Sequence, residues 1–325
     1  MTGKPQISIT GATGHLGSAL IPLMLDQEYR LNCLYRKHKL SIEHPNLKWV
    51  KGDLENTESL SKLLEGSSVL IHAASLISVG EDNHPEVFQV NVKGIEKVIT
   101  KCLEHHIKLV YISSSTAVEA GNPMSVLDEA APWKKNKEFY YGWTKAEAEK
   151  KIQDSAQNEG LNACILRPTA LIGPPDFGPS RFGRTILDIH QGKLPMITTG
   201  GYNLIDVRDF SQTIINSIER GRKGEAYFTG GRYYSLKDLA TRINPKKVPF
   251  CISVDLLIRI LPLVNLYSRV FPMRWPINKE SLITLKNAPR NLDSSKAEKH
   301  LLHKTRPLND SVKDLIYWMS KNNKQ

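Results

Sequence analysis

Tyr141 and Lys145 stand four residues apart in the stretch YGWTK, a spacing that puts both side chains on one helix face, one above the other. A phenol titrates near about 10 in water, so it needs help to exchange a proton at neutral pH. An ammonium one turn along the helix supplies that help by favouring the phenolate. Upstream, KLVYISSS (108–115) reads as a strand ending in Ser113, Ser114 and Ser115, at the carboxyl edge of a sheet where ligands bind. Asn91 opens NVKG in the preceding helical pattern. A phenol, an ammonium and a hydroxyl suit proton transfer at a carbonyl or alcohol oxygen.

Such chemistry needs a hydride carrier or its equivalent, and the stretch ITGATGHLG (9–17) offers a place for one. Gly11, Gly14 and Gly17 are spaced three apart, after a strand-like QISIT and before the apolar, helix-dense SALIPLMLDQ. Strand, glycine turn and helix together place backbone N–H groups where a pyrophosphate would sit. Enzymes that use NAD tend to carry an acid at the end of the second strand, about twenty residues further on, to bind the ribose 2′-hydroxyl. LYRKHK stands there instead, with Arg36, Lys37 and Lys39 and no acid. A guanidinium grips a 2′-phosphate that an acid would repel, so NADP(H) is expected in preference to NAD(H).

The elements that must position these groups alternate. Strand patterns at 31–35, 47–53, 68–75, 108–115 and 162–168 are separated by helical patterns at 56–65, 85–106 and 140–160. Apolar strands alternating with helices predict an α/β fold of the Rossmann type, a doubly wound parallel sheet covered on both faces. The texture changes at the Gly/Pro-rich GPPDFGPSRFGR, beginning at 173. Residues 1–172 are expected to form the dinucleotide-binding domain, with 204–231 returning to it. Residues 173–203 and 232–325 are expected to form a smaller, mostly helical substrate lobe. Pro22 falls inside the first helical pattern and should kink it.

The chain has 325 residues, a formal charge of +11 and a pI near 9.3, yet its basic residues form no long run. An anionic cofactor accounts for part of that charge more simply than nucleic acid, which is not expected as a partner. Cys33, Cys102, Cys164 and Cys251 lie far apart with no C-x-x-C, so free thiols in a reducing, cytoplasmic setting are expected. The opening residues enter a strand without a charged-then-apolar leader, so no signal peptide is expected. The most apolar window, 250–271, is interrupted by Asp255, Arg259, Pro262 and Arg269. It reads first as an amphipathic lid over an apolar pocket and second as an interfacial membrane contact. His300 and His303 lack acidic or cysteine partners in sequence, so no metal site is expected. Trp133, Trp143 and Trp275 are candidates for lining a pocket, Trp143 first among them because it lies inside the YGWTK motif.

In TGATGHLG, GDL (52–54), HAAS (72–75), NVKG, YISSS, YGWTKAEAE, ILRPTALIGP and IDVRDF (205–210) the chain resembles the extended short-chain dehydrogenase/reductases, the NAD-dependent epimerase/dehydratase group. The resemblance implies a cofactor set of Gly11, Thr13, Gly14, His15, Leu16 and Gly17 in the turn, Arg36 beyond the second strand, Asp53 and Leu54 flanking the adenine, Ala73 and Ala74 beside the cofactor, and Pro168 at a strand end. It further implies that Ser115 holds the substrate oxygen, with Thr116 as a possible substitute. Tyr141 becomes the general acid/base, Lys145 lowers its pKa and holds the nicotinamide ribose, and Asn91 supports a relay water.

RPTALIGP carries Ala170 where sugar epimerases have an asparagine, and its wording is closer to dihydroflavonol 4-reductase and 3β-hydroxysteroid dehydrogenase-like members. The expected activity is NADP(H)-dependent reduction of a carbonyl, or oxidation of the alcohol, of a small and mainly apolar substrate. A nucleotide-sugar epimerase or dehydratase, with Arg181, Arg184 and Arg208 on a diphosphate, is the alternative enzyme. A non-catalytic NAD(P)-sensing regulator is the alternative of another class. The resemblance leaves both a homodimer, through the helices bearing Asn91 and Tyr141, and a monomer open.

Overall fold

Strand burial separates the middle of the molecule from its edge. In the computed structural model, which describes residues 4–78, 83–122, 124–178, 180–270 and 279–322, strands β1 (Gln6–Thr10), β2 (Arg30–Tyr35), β3 (Leu47–Lys51), β4 (Val69–His72) and β5 (Lys108–Ile112) precede a short β6 (Val126–Leu127). They are followed by β7 (Ala163–Pro168), β8 (Ala170–Ile172), β9 (Met196–Thr198), β10 (Gly201–Asp206), β11 (Ala226–Thr229), β12 (Arg232–Ser235), β13 (Phe250–Ile252) and β14 (Asn291–Leu292). Every residue of β4, β7 and β11 is buried, whereas β3 alternates with solvent. Strands apolar on both faces must be covered on both, and β3 is accordingly the edge.

Seven strands form one parallel sheet in the order β11-β7-β5-β4-β1-β2-β3, with Ile7 beside Leu31 on one side and Val69 on the other. The chain order reverses between β1 and β4, which opens a crevice at the carboxyl ends of those two strands. Helices α1 (His15–Asp26) and α7 (Val207–Arg220) cover one face through Leu20, Met24, Phe210 and Ile214. Helices α2 (Thr57–Leu64), α4 (Gly94–Glu104) and α5 (Tyr140–Asn158) cover the other through Leu60, Ile95, Val98, Ala148 and Ile152. These are the two layers expected of a doubly wound fold.

Two details differ from the expectations. The single helix foreseen over 85–106 is α3 (His84–Phe88), a π-helical turn at Gln89–Lys93 that holds Asn91, and then α4. Such wide turns inside helices are frequent at functional sites. Residues 170–172 and 204–206 leave the large sheet and pair with each other, in a three-stranded sheet β12-β10-β8, while α7 and β11 do return to the nucleotide half. Pro22 lies inside α1, as its place in the helical pattern predicts, and the helix runs on to Asp26.

The smaller lobe packs α6 (Arg181–His190), α8 (Leu236–Ile243) and α12 (Leu308–Asn322) around Ile186, Ile189, Leu239, Leu315 and Met319. Helices α9 (Val254–Val270) and α10 (Lys279–Lys286) share a separate small core of Val254, Leu257 and Leu282, and α11 (Ser295–Leu301) joins the nucleotide half. The four cysteines are unpaired, and Cys33, Cys102 and Cys164 are buried. Among the described residues no helix is long and apolar enough to cross a membrane. Trp275 lies outside the described residues.

Candidate active site

Each of the three glycines in the first turn meets a different physical demand. Gly11 has φ +71°, and a Cβ there would stand 2.6 Å from the backbone of Ala73 and Ala74 at the end of β4. A Cβ on Gly17 would fall 2.3 Å from the Ala12 carbonyl oxygen, so only glycine lets α1 pack this closely on its own turn. Around Gly14 the nearest atom to such a Cβ is the Gly11 oxygen at 3.4 Å, so this glycine presents bare backbone to the crevice. One glycine bends the turn, one admits a close approach, and one packs helix to strand, the division of labour of a dinucleotide turn. Helix α1 begins at His15 with no side-chain cap, leaving its first amides to an anion. That cradle fits a pyrophosphate.

The remaining expected cofactor residues fall into two groups. Thr13 is exposed at the turn, and Ala73 and Ala74 are pinned to it by bonds from their amides to the Thr10 carbonyl (3.2 Å) and Thr10 Oγ1 (3.3 Å). Arg36 is exposed at the end of β2, with Asp53 3.9 Å away and Lys37 and Lys39 beside it, also exposed. By contrast, the side chains of Leu16 and Leu54 lie in the two cores, and Pro168 is buried at the end of β7. Only their backbones are available to a ligand. His15 turns its ring to the Gly173 carbonyl, with Nε2 2.8 Å from that oxygen, and so ties the 173–175 loop to the glycine turn.

Helix α5 carries Tyr141 and Lys145, the pair expected to react. Gly142 is required here, because a Cβ on it would lie 2.4 Å from the Thr116 carbonyl oxygen. That contact presses the first turn of α5 onto the 3-10 turn Ser115–Ala117 that follows β5, bringing Tyr141 to the serine cluster. Ser115 is half-buried, whereas Ser114 is occupied with Thr116 at 2.8 Å and Ser113 is buried.

Lys145 is buried and donates to the Ile112 carbonyl at 2.8 Å. Its Nζ stands 4.9 Å from the Tyr111 ring centre and 5.9 Å from that of Tyr141. Burial drives the lysine down to about 7, partly opposed by the Glu149 carboxylate one turn further along α5. Burial drives the Tyr141 phenol up to about 12, opposed by its hydrogen bond with Ser75, whose own hydroxyl proton goes to Asn91 Oδ1. With desolvation the larger influence, Tyr141 is held as a neutral phenol. His72, stacked on Tyr111, is pushed down to about 3 by burial and by the charge of Lys145, and is neutral.

Asn91 behaves differently from the water-supporting role expected of it. Its Oδ1 accepts from the Leu76 amide (2.9 Å) and the Ser75 hydroxyl (3.1 Å), while its Nδ2 donates to the Leu76 carbonyl (2.9 Å) and Thr144 Oγ1 (3.1 Å). An amide side chain has two acceptor and two donor positions, and all four are taken. Asn91 is thus a clamp that holds the 75–76 loop against α5 and keeps Ser75 beside the phenol.

Two further contacts were not read from the sequence. Glu149 and Arg167 form a fully buried pair, joined at 2.6, 3.0 and 3.1 Å, to which Trp133 adds an indole N–H bond at 3.0 Å. Tyr141, Lys145 and Glu149 recur every four residues, a signal the sequence held, but the partner on β7 could only come from the fold. Glu280 of α10 places its carboxylate 3.4 Å from the Tyr141 amide, at the start of α5, where no other side chain caps the helix. The tryptophans are otherwise employed: Trp143 stacks on Phe88 (5.8 Å) and packs on Tyr140 (5.3 Å), and Trp133 serves Glu149. His303 is bound to Thr213 and the Gly230 carbonyl. Arg208 is spent on Asp206 (2.8 Å) and Asp314 (2.7 Å). A cavity of about 790 Å³ between α1, α7 and Trp318 lies across the sheet from α5 and is not the site of the chemistry.

A doubly wound sheet with a glycine cradle and a buried Tyr/Lys helix defines a nucleotide-dependent enzyme class, and comparison with known proteins makes it definite. Residues 7–230 match the NAD dependent epimerase/dehydratase family, and the chain belongs to that family. It is an NAD(P)-dependent oxidoreductase of the extended short-chain dehydrogenase/reductase type. It is 28% identical over 306 residues to the sterol demethylase protein B of Methylococcus capsulatus, covering 90% of this chain and 92% of that one. With a 3beta-hydroxysteroid-dehydrogenase/decarboxylase of Arabidopsis thaliana it shares 27% over 302 residues, covering 85% and 67% respectively. The crystal structure of gox2253 superposes over 99% of both chains with a TM-score of 0.84 and 26% identity. A dTDP-glucose 4,6-dehydratase from Bacillus anthracis shares the fold, with a TM-score of 0.78, 18% identity and 98% and 97% coverage.

Proposed function

We propose that the chain catalyses NADP(H)-dependent reduction of a carbonyl, or the reverse oxidation of an alcohol, on a small apolar substrate, with Ser115, Tyr141 and Lys145 as the reacting set. The observation that carries this reading is the half-buried Tyr141 one turn before the buried Lys145, on a helix locked by Gly142 onto the Ser115 turn. The Gly11–Gly17 cradle and the α1 amides would hold the pyrophosphate, Lys145 the nicotinamide ribose, and Arg36 with Lys37 and Lys39 the 2′-phosphate. Bound there, the nicotinamide supplies or accepts the hydride. Ser115 holds the substrate oxygen by hydrogen bonding. Tyr141, a neutral phenol, gives its proton to that oxygen as the carbonyl becomes an alcohol. Lys145 then stabilises the phenolate left behind, while Asn91 holds Ser75 beside it.

An apolar substrate is supported by the relatives, whose names include a sterol demethylase protein, a dihydroflavonol reductase and hydroxysteroid dehydrogenases. A diphosphate-bearing sugar is less well served, because Arg208 is already committed to two aspartates and Ala170 offers no polar side chain. A purely sensory role gives no reason to bury a lysine under a phenol. With its thiols free, the protein suits the cytoplasm. The test is a matrix of NADPH and NADH against ketosteroids, flavonoid ketones, medium-chain 3-oxo compounds and sugar nucleotides, read by cofactor absorbance. Turnover of apolar ketones with NADPH is expected; turnover of sugar nucleotides alone would contradict the substrate class, and preference for NADH the cofactor.

A further inference from the structure

The strand pair β9–β13 forms an outer corner of the smaller lobe, and its pleat sorts side chains cleanly. Ile197 and Cys251 turn inward to the core of α6, α8 and α12. Their neighbours Met196 and Phe250, opposite one another in register, face outward, Phe250 being 72% and Met196 39% exposed. Val248, two residues before Phe250, is also exposed, while Pro249 between them is buried. A lone exposed apolar side chain is ordinary on any protein surface, but an aromatic with two apolar companions on one strand face is a patch.

The charge around that patch is of one sign. Lys193, Lys246 and Lys247 are exposed beside it. The Lys247 stem runs across Gly192, and Asn244 ties the turn before it to the last carbonyls of α6, at His190 (3.0 Å) and Ile189 (3.4 Å). Neither 189–199 nor 244–254 contains an acid. The flanking carboxylates are Asp188, buried on α6, and Asp255, bonded to Lys286 at 2.5 Å. Leu256 and Arg259, both exposed on the first turns of α9, continue the same composition.

Aromatic and aliphatic side chains flanked by lysines, the nearest acids in sequence being buried (Asp188) or paired (Asp255), match the boundary of an anionic bilayer. Apolar groups enter there between headgroups, while ammonium groups meet phosphates. We propose that this corner seats the protein reversibly on an anionic phospholipid surface, with Phe250, Met196 and Val248 inserted and Lys193, Lys246 and Lys247 on the phosphates. Helix α9 leads from the corner and packs against α10, whose Glu280 reaches the start of the Tyr141 helix. Docking there would set the substrate side of the enzyme against the lipid. The inference does not depend on which reaction the site performs.

The experiment is co-sedimentation of the full chain with vesicles of phosphatidylcholine alone or containing about one third phosphatidylglycerol, at low and high salt. Binding is expected only to the anionic vesicles and is expected to be lost at high salt. The variants K193Q/K246Q/K247Q and M196S/F250S should each weaken partition about tenfold or more, with unchanged melting temperature, while K62Q on α2 should bind as the parent does. Equal binding by parent and variants, equal binding to neutral vesicles, or no binding would overturn the proposal. So would loss of concentration-dependent self-association in M196S/F250S without any vesicle binding by the parent, which would make the patch a contact between copies.

Discussion

The nucleotide half and the smaller lobe differ in what their tight positions surround and in what they leave exposed. In the first, Gly11, Gly17 and Gly142 stand where a single added carbon would strike backbone, and a lysine and a glutamate are buried within two turns of one helix. In the second, small clusters of Leu and Ile hold the helices, and Met196, Val248, Phe250 and Leu256 remain outside. Phosphates and hydride geometry are common to many substrates and admit few solutions, so the first half is stereotyped. The lobe has backbone-tight glycines of its own, Gly200 and Gly201, and what sets it apart is the apolar corner it leaves exposed.

The contrast can be broken or sharpened by substitution. Gly17→Ala should have the largest effect: the overlap with the Ala12 carbonyl forces α1 away from the turn, costing about 3 kcal/mol and abolishing cofactor binding. Thermal melting together with quenching of tryptophan fluorescence by NADPH would show it, and a stable, cofactor-binding variant would remove the packing argument.

Glu149→Gln should cost about 3 kcal/mol or more by leaving the Arg167 guanidinium buried without its counter-charge. Its sharper signature is in pH. Lys145 sits near about 7, with Glu149 holding it up, so its ammonium is present at lower pH and lost as pH rises. Reductive kcat/KM is accordingly expected to fall above neutrality in the parent, and the fall should move to lower pH in the variant. A parent and variant with superimposable profiles would separate Glu149 from the site.

In the lobe, Leu282→Ala should cost about 2 kcal/mol by opening the small core between α9 and α10. Substrate KM should rise with the affinity for NADPH unchanged, and an equal loss of both would join the two regions that the comparison separates. Arg36→Ala is the mildest: loss of the one guanidinium beyond β2 should raise KM for NADPH about tenfold and leave NADH nearly untouched. Parallel changes for both cofactors would remove the basis for preferring NADP(H).

The same contrast governs what the sequence makes legible. Gly11, Gly14 and Gly17, and the Tyr141/Lys145 spacing, can be read because residue type and local geometry are tied within one turn of chain. The parallel sheet follows from apolar strands alternating with helices. Relations that close only through the fold cannot be read so. Arg167 reaches Glu149 across 18 positions of sequence, and Glu280 comes to Tyr141 across 139. The π-helical turn that delivers Asn91 looks like unbroken helix in an apolar pattern, because it inserts a wider turn without changing the residues that face the core. The pKa of Tyr141 was likewise beyond reach, since spacing reveals its neighbour but not the depth of its burial.

The most direct test of the account is Tyr141→Phe, assayed for turnover of the best substrate from the ketone screen and for NADPH affinity by titration. Removing one buried hydroxyl should reduce kcat by about 100-fold or more while the dissociation constant for NADPH stays within about twofold. Retention of near-parental turnover by that variant would contradict the assignment of the proton-transfer step to Tyr141.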